Sequence, residues 1–315
     1  MRIVVSIGGN ALSKPDQKGT FEEQIANVKV ACKQIFELWR NGHQLVITHG
    51  NGPQVGNLAI QQEIAADSIP VQPLHVVGAM TQGQIGYMIQ QTLHNMLSIE
   101  KYKAMVVTLI TRALIRSGDP SFSNPTKPIG PFYNKSAAEL LGSQRKYVIK
   151  KVMTSGRLPY RRLVASPEPI SIIEADVIRE LVNLGAIVIA CGGGGIPVIS
   201  NDRGEYEGVN AVVDKDLASE IIARSVGAQV LLILTNVDKV KLNFGKKDEK
   251  SIDVLTVSQA RQYIEEGHFL EGSMKPKILA SVKFVENGGE KAIICALEDA
   301  VQTLEGRAGT QIVKG

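Results

Sequence analysis

Two lysines stand where the sequence pattern starts a helix. Lys215 lies in Asn210-Ala211-Val212-Val213-Asp214-Lys215-Asp216-Leu217-Ala218, and Lys277 in Gly272-Ser273-Met274-Lys275-Pro276-Lys277-Ile278. Asp214 and Asp216 flank Lys215, so an ion pair can fix its ammonium without removing the charge. Cations held this way suit phosphoryl transfer, which needs aligned donor and acceptor oxygens and positive charge where negative charge gathers. Plainer uses stand beside that one: the two aspartates as helix caps and surface partners, and Lys277 as an exposed residue of a helix that Pro276 helps to start. Two carboxylates at i and i+2 do not define an ion site. The other hard oxygen ligands of a Mg²⁺ would come from nucleotide phosphates.

Three glycine clusters supply the second element of such a site. They are Gly8-Gly9-Asn10-Ala11, His49-Gly50-Asn51-Gly52-Pro53 and Cys191-Gly192-Gly193-Gly194-Gly195-Ile196-Pro197, and each follows a strand-like run. Removing Cβ lets backbone amides approach a phosphate, and a following helix start adds unpaired N–H donors. One cluster alone reads equally well as an empty tight turn; three at equivalent strand ends favour ligand binding. Asn10 and Asn51 serve either the turns or an anionic acceptor. Asn236 and Asp238, just beyond the strand at 229–235, fit a nucleotide-side role or a turn.

The nucleotide-binding patterns in commonest use do not fit. Gly50 to Gly56 spaces its last glycine one residue beyond the dinucleotide fingerprint, and there is no GxxxxGK(S/T) run. The paired catalytic motifs of protein kinases are missing. The five histidines (43, 49, 75, 94 and 268) form no HExxH pattern, and no GxSxG elbow supports serine acyl transfer.

The elements that must position these residues are short Val- and Ile-rich strands at 2–7, 44–48, 104–110, 186–191, 229–235, 291–296 and 310–313, with helical patterns between them. Continuous apolar strands of this kind imply a mostly parallel sheet covered on both faces. Phe21, Ile25, Val28, Cys32, Ile35 and Trp39 repeat at three and four residues and predict one buried helical stripe, ended by Gly42. A second helix is expected over 82–97, with Met80, Met88 and Met96 filling core or interface, and a third over 174–184. Region 112–170 carries seven prolines and Lys/Arg-rich segments, and reads as a small subdomain or long lid. The charged segment at 238–253 reads as an exposed hairpin or loop.

Composition agrees with a globular fold. The 315 residues are 44% hydrophobic and 21% charged, with a formal charge of +4. Cys32, Cys191 and Cys295 lie too far apart for a CxxC pair, so a reduced, cytoplasmic setting is expected. No signal peptide and no apolar run near the ~18 to 20 residues of a membrane span are visible, so no membrane association is expected. The stretch 140–167 has no acidic residue and seven basic ones, yet lacks a nucleic-acid motif; it reads as a solvated face or a field for a small anion, with no nucleic-acid partner.

The ordered set of motifs, together with Pro125-Thr126-Lys127-Pro128-Ile129-Gly130-Pro131, resembles the carbamate kinases of the amino-acid kinase superfamily over essentially the whole chain. The resemblance implies a three-layer α/β/α fold with a mostly parallel central sheet and a small protruding subdomain, about 112–170. It puts the carbamate and phosphate side mainly in 1–200 and the nucleotide side mainly in 201–315. It implies transfer between ATP and carbamate with Mg²⁺ held mainly by nucleotide phosphates, use mainly toward ATP, and a homodimer. Gly8, Gly9, Asn10, Gly50, Asn51, Gly52, Gly193 and Gly194 are matched to the phosphate and acceptor side. Lys127 matches a lysine that closes on the substrate, Lys215 and Lys277 those that stabilise the transferring phosphoryl group, and Asp216 the residue that orients them. Lys215, Asn236, Asp238, Met274 and Lys277 are matched to the nucleotide side, and no metal-ligating side chain is assigned. Other amino-acid kinases carry a lysine early in the first glycine turn. Here that turn reads Gly8-Gly9-Asn10, as in carbamate kinases. The alternatives are another acylphosphate-forming amino-acid kinase and a nonenzymatic nucleotide sensor.

Overall fold

The computed structural model describes residues 1–14, 17–152, 158–270 and 272–315, and the backbone alone at Asn10, Ala11 and Pro131. The main sheet has eight strands: β1 (Arg2–Ile7), β2 (Gln44–His49), β3 (Val106–Thr108), β9 (Ile187–Ile189), β12 (Val230–Thr235), β15 (Val254–Thr256), β16 (Lys291–Ala296) and β17 (Thr310–Val313). Their order is β15-β17-β16-β12-β1-β2-β9-β3. All neighbours are parallel except β16 and β17.

Strand alternation builds two cores from one sheet. In β1, Ile3, Val5 and Ile7 face a core completed by α2 (Phe21–Arg40), α4 (Leu74–Ile99) and α10 (Ala300–Leu304), while Val4 faces the other. That second core receives α6 (Ala175–Asn183), α7 (Lys215–Ser225), α8 (Val257–Glu265) and α9 (Met274–Glu286). Both faces are therefore helix-covered, in three layers. Among the described residues, no helix is long and apolar enough to cross a membrane.

The expected stripe of α2 is corrected at its start. Val28, Cys32 and Ile35 are fully buried, but Phe21 is 56% exposed. It follows the N-cap Thr20, whose side chain accepts from the Glu23 amide while Glu23 reaches back to the Thr20 amide. A capping box secures that first turn without a core contact from Phe21.

A second sheet, which the strand pattern did not suggest, joins β4 (Arg112–Ile115), β8 (Pro169–Ile172), β10 (Ile196–Ser200) and β11 (Tyr206–Gly208) in the order β11-β10-β4-β8. Between β4 and β8 the chain makes a separate antiparallel sheet of β5 (Lys127–Tyr133), β6 (Val148–Lys151) and β7 (Tyr160–Val164), with α5 (Lys135–Arg145). It rests on α3 (Gly52–Ile64) and α4 through Val55, Leu74, Val77, Ile129 and Val164. The charged segment 238–253 contains the two-stranded pair β13 (Val240–Leu242) and β14 (Lys250–Ile252). The first glycine turn opens a short helix, α1 (Gly9–Leu12).

Candidate active site

Four adjacent parallel strands, β12, β1, β2 and β9, end at one edge of the main sheet, where ligands of open α/β sheets bind. The three glycine clusters follow β1, β2 and β9, and Thr235 and Asn236 close β12. A cleft of about 560 Å³ opens there, lined by Gly8, Gly9, Gly50, Asn51, Gly52, Gly193, Asn236, Lys127, Lys215, Asp216 and Lys277 among others.

The glycines do different jobs. A Cβ on Gly50 would lie 2.7 Å from the Gly9 nitrogen and 2.9 Å from its Cα, so the first two turns meet only because side chains are absent. The Gly8 amide donates to Leu234 O at 3.0 Å and the Gly50 amide to Ile7 O at 2.9 Å. These two donors are spent on strand ends, which narrows the expectation that every turn offers amides to phosphate. Better placed are the first amides of α3, at Gly52 and Gln54, which have no acceptor within their own helix; Pro53 has no donor to lose. Asn51 precedes them, its side-chain amide held by Thr81 Oγ1 at 2.8 Å. Gly193 (φ +64) touches that same side chain: a Cβ there would press to 2.2 Å of Asn51 Nδ2. Gly194 (φ +92) is outside the cleft lining, against Val213 O.

The lysines converge on Asp216, a 2% exposed residue in the first turn of α7. Lys215 Nζ donates to Asp216 Oδ1 at 2.5 Å and to Ser6 Oγ at 2.9 Å, while Lys277 Nζ, from α9, donates to Asp216 Oδ2 at 2.9 Å. Burial alone would raise the Asp216 carboxyl, but the two ammonium groups overrule it and hold it well below the usual carboxylate range. Burial lowers the Lys215 ammonium from its ordinary value, against the pull of Asp216. One carboxylate thus holds two cations side by side, with net positive charge left over for an anion.

Lys127 arrives from another direction. At the start of β5, its Nζ donates to Asp214 Oδ2 at 3.1 Å, while Asp214 Oδ1 caps α7 by accepting from the Asp216 amide at 2.9 Å. Arg161, on β7, also lines the cleft. Its Nη2 donates to Gly130 O at 2.9 Å, its guanidinium lies 5.0 Å from the Phe132 ring centroid, and its Nε is buried without a partner. From sequence it was one of seven cations in a basic run; nothing in that run distinguished it.

Behind the turns, His49 is buried, its Nδ1 3.1 Å from Gly50 O. Burial lowers it to about 4, so it is neutral near pH 7, and it is not among the residues that line the cleft. Asp238 is exposed and outside the cleft lining, and Met274 packs on the core beneath α9. The side chain of Asn10 lies outside the described residues. Among those residues no three His, Cys, Asp or Glu side chains gather as a metal site, and the two cleft carboxylates are both engaged by lysines.

Residues 1–296 match the sequence model of the amino acid kinase family. The chain belongs to that family. Its curated relatives include carbamate kinase of Pyrococcus furiosus, 49% identical over 314 residues with 99% of each chain covered. Carbamate kinase of Clostridium perfringens is 44% identical over 318 residues, with 100% of each covered. Among solved structures, carbamate kinase from Giardia lamblia bound to AMP-PNP superposes with a TM-score of 0.93 at 37% identity, covering 100% of this chain and 98% of that one. This member of the amino acid kinase family is an enzyme, a kinase, and its mostly parallel sheet covered by helices is the family's architecture.

Proposed function

We propose that the chain catalyses reversible phosphoryl transfer between ATP and carbamate, forming ADP and carbamoyl phosphate, and works mainly toward ATP. Full-length similarity to carbamate kinases supports the substrate pair. The observation that carries the chemistry is Asp216 pairing Lys215 and Lys277 in a cleft floored by glycine turns.

Toward ATP, an oxygen of the ADP β-phosphate attacks phosphorus, and the bond from phosphorus to the carbamoyl oxygen breaks. Carbamate departs as an anion, so no protein acid is required. In the other direction carbamate is already the nucleophile, so no base is required. What remains is positioning and charge. Lys215 and Lys277 stabilise the equatorial oxygens of the moving group, and Asp216 keeps both ammonium groups aimed and apart. The α3 amides, with Gly9, Asn10, Asn51 and Gly193, hold the phosphate and acceptor side, and Lys127 closes on the anionic substrate from the three-stranded sheet. The carbamate side falls mainly in 1–200, the nucleotide side near Asn236 mainly in 201–315, and 112–170 acts as the cover. A Mg²⁺ would be held mainly by nucleotide phosphates, since the cleft carboxylates are committed to lysines; it would supply neutralisation of phosphate charge. The enzyme is a cytoplasmic homodimer in this reading, to be checked by sedimentation.

Purified protein with Mg²⁺, ADP and carbamoyl phosphate is expected to form ATP in a coupled assay corrected for spontaneous breakdown. Folded protein that binds nucleotide yet makes no ATP overturns the assignment.

A further inference from the structure

Asp214 has no role in the chemistry above, yet both its oxygens are committed. Oδ1 accepts the Asp216 amide at 2.9 Å, and Oδ2 accepts the Lys127 ammonium at 3.1 Å across 87 positions of sequence. We infer that Asp214 is the positioning residue for Lys127, an ionic strap that ties the three-stranded sheet to the first turn of α7. The inference rests on the reading that Lys127 meets the substrate anion.

The geometry gives the strap its direction. The Oδ1 bond stops the carboxylate from turning, so the placement of Oδ2 is set by the same helical turn that places Lys215 and Asp216. Lys127 is thereby located relative to the two body lysines and not merely to its own sheet. An ammonium has three donors. One spent on Asp214 leaves two for substrate oxygens, so the strap and the substrate are held together and do not compete. The pair is sheltered, with the lysine side chain 30% and the aspartate 16% exposed. The strap adds to a seat on the body made by a small apolar cluster, to which the sheet gives Ile129 and Val164, and by the Val212 amide, which donates to Ala165 O at 3.0 Å just past β7. Another polar tie is at the opposite end of β5, where Tyr133 donates to Glu63 at 3.0 Å.

Capping alone is the competing explanation, and chemistry separates the two. Asparagine caps a helix about as well as aspartate, but carries no charge for Lys127. Asp214→Asn is expected to raise KM for carbamoyl phosphate about tenfold, with kcat and KM for ADP within about twofold of wild type. In a Lys127→Ala background the same substitution is expected to add nothing. Hydrogen exchange of the substrate-free protein gives a readout independent of turnover. Amides of 127–133 and 160–164 are expected to exchange faster in Asp214→Asn and in Lys127→Ala, and no faster in the double variant. An unchanged or lowered KM with unchanged exchange, or an Asp214→Asn effect undiminished without Lys127, overturns the strap. Should wild type make no ATP, the proposed reaction falls while exchange still decides the strap.

Discussion

Two regions bring lysines to the cleft, and they hold them differently. Lys215 and Lys277 come from α7 and α9, helices packed on each other and on the larger core, and share the buried carboxylate of Asp216. Lys127 comes from a three-stranded sheet seated on a few apolar side chains, and its partner Asp214 is more exposed than Asp216. In the proposed reaction the body's packing places charge around the moving phosphoryl group, where misplacement is costly. In the proposed reaction the smaller sheet, with its smaller apolar seat, meets and releases the small anion.

The comparison breaks most readily at Asp216. Asp216→Asn leaves two buried ammonium groups without their shared counter-charge, and removing one partner of a buried ion pair costs about 3–5 kcal/mol. Denaturant midpoints are expected to drop accordingly, and turnover to vanish with them. The pH dependence follows from the depressed Asp216 carboxyl. Its stabilisation is complete above the ordinary value of 3.8 and is lost as pH falls through the lower folded value. The variant lacks that acid-sensitive contribution.

Lys215→Ala and Lys277→Ala each leave Asp216 with one lysine, so folding survives better than chemistry. Each is expected to lower kcat by about 10²–10³, with a smaller change in nucleotide affinity by calorimetry. Wild-type turnover in both means that the transferring phosphate is stabilised elsewhere.

His49 sharpens the body side in another way. Its folded value of about 4 against an ordinary 6.5 means that the unfolded chain takes up protons first as pH falls. Stability from neutral burial is therefore complete above 6.5 and lost as pH falls toward 4, by about 3 kcal/mol. Urea titrations of wild type and His49→Gln at pH 7 and 4.5 are expected to show a shallower pH slope in the variant; equal slopes contradict this. The smallest effect belongs to the other region. Tyr133→Phe removes the bond to Glu63 and is expected to raise KM for carbamoyl phosphate about threefold or less, leaving kcat and the body's thermal midpoint unchanged.

Local pattern reaches only part of this arrangement. The strands β1, β2, β12 and β16 announce themselves because burial on both faces makes them continuously apolar. The starts of α7 and α9 are also legible, from Asp214 at the cap and Pro276 in the first turn. Legibility fails where the cause is distant in sequence. α4 begins at Leu74, earlier than its apolar stripe suggests, and the Leu74 amide donates to Asn210 136 positions away. β10 contains Pro197, which argues against an interior strand, yet it lies between β4 and β11. The ion pairs from Lys127 to Asp214 and from Lys277 to Asp216 join segments that only the folded chain brings together. Arg161 and Arg162 face opposite sides of β7, and only the folded sheet shows that it is Arg161 that lines the main cleft.

The most direct test of the division between the two regions is a parallel steady-state measurement on Lys127→Ala and Lys215→Ala, in the direction of ATP synthesis. Lys127→Ala is expected to raise KM for carbamoyl phosphate by about tenfold or more with kcat reduced only several-fold, while Lys215→Ala lowers kcat by about 10²–10³ with KM little changed. Equal losses of kcat in the two variants, with KM unmoved in both, would contradict that division.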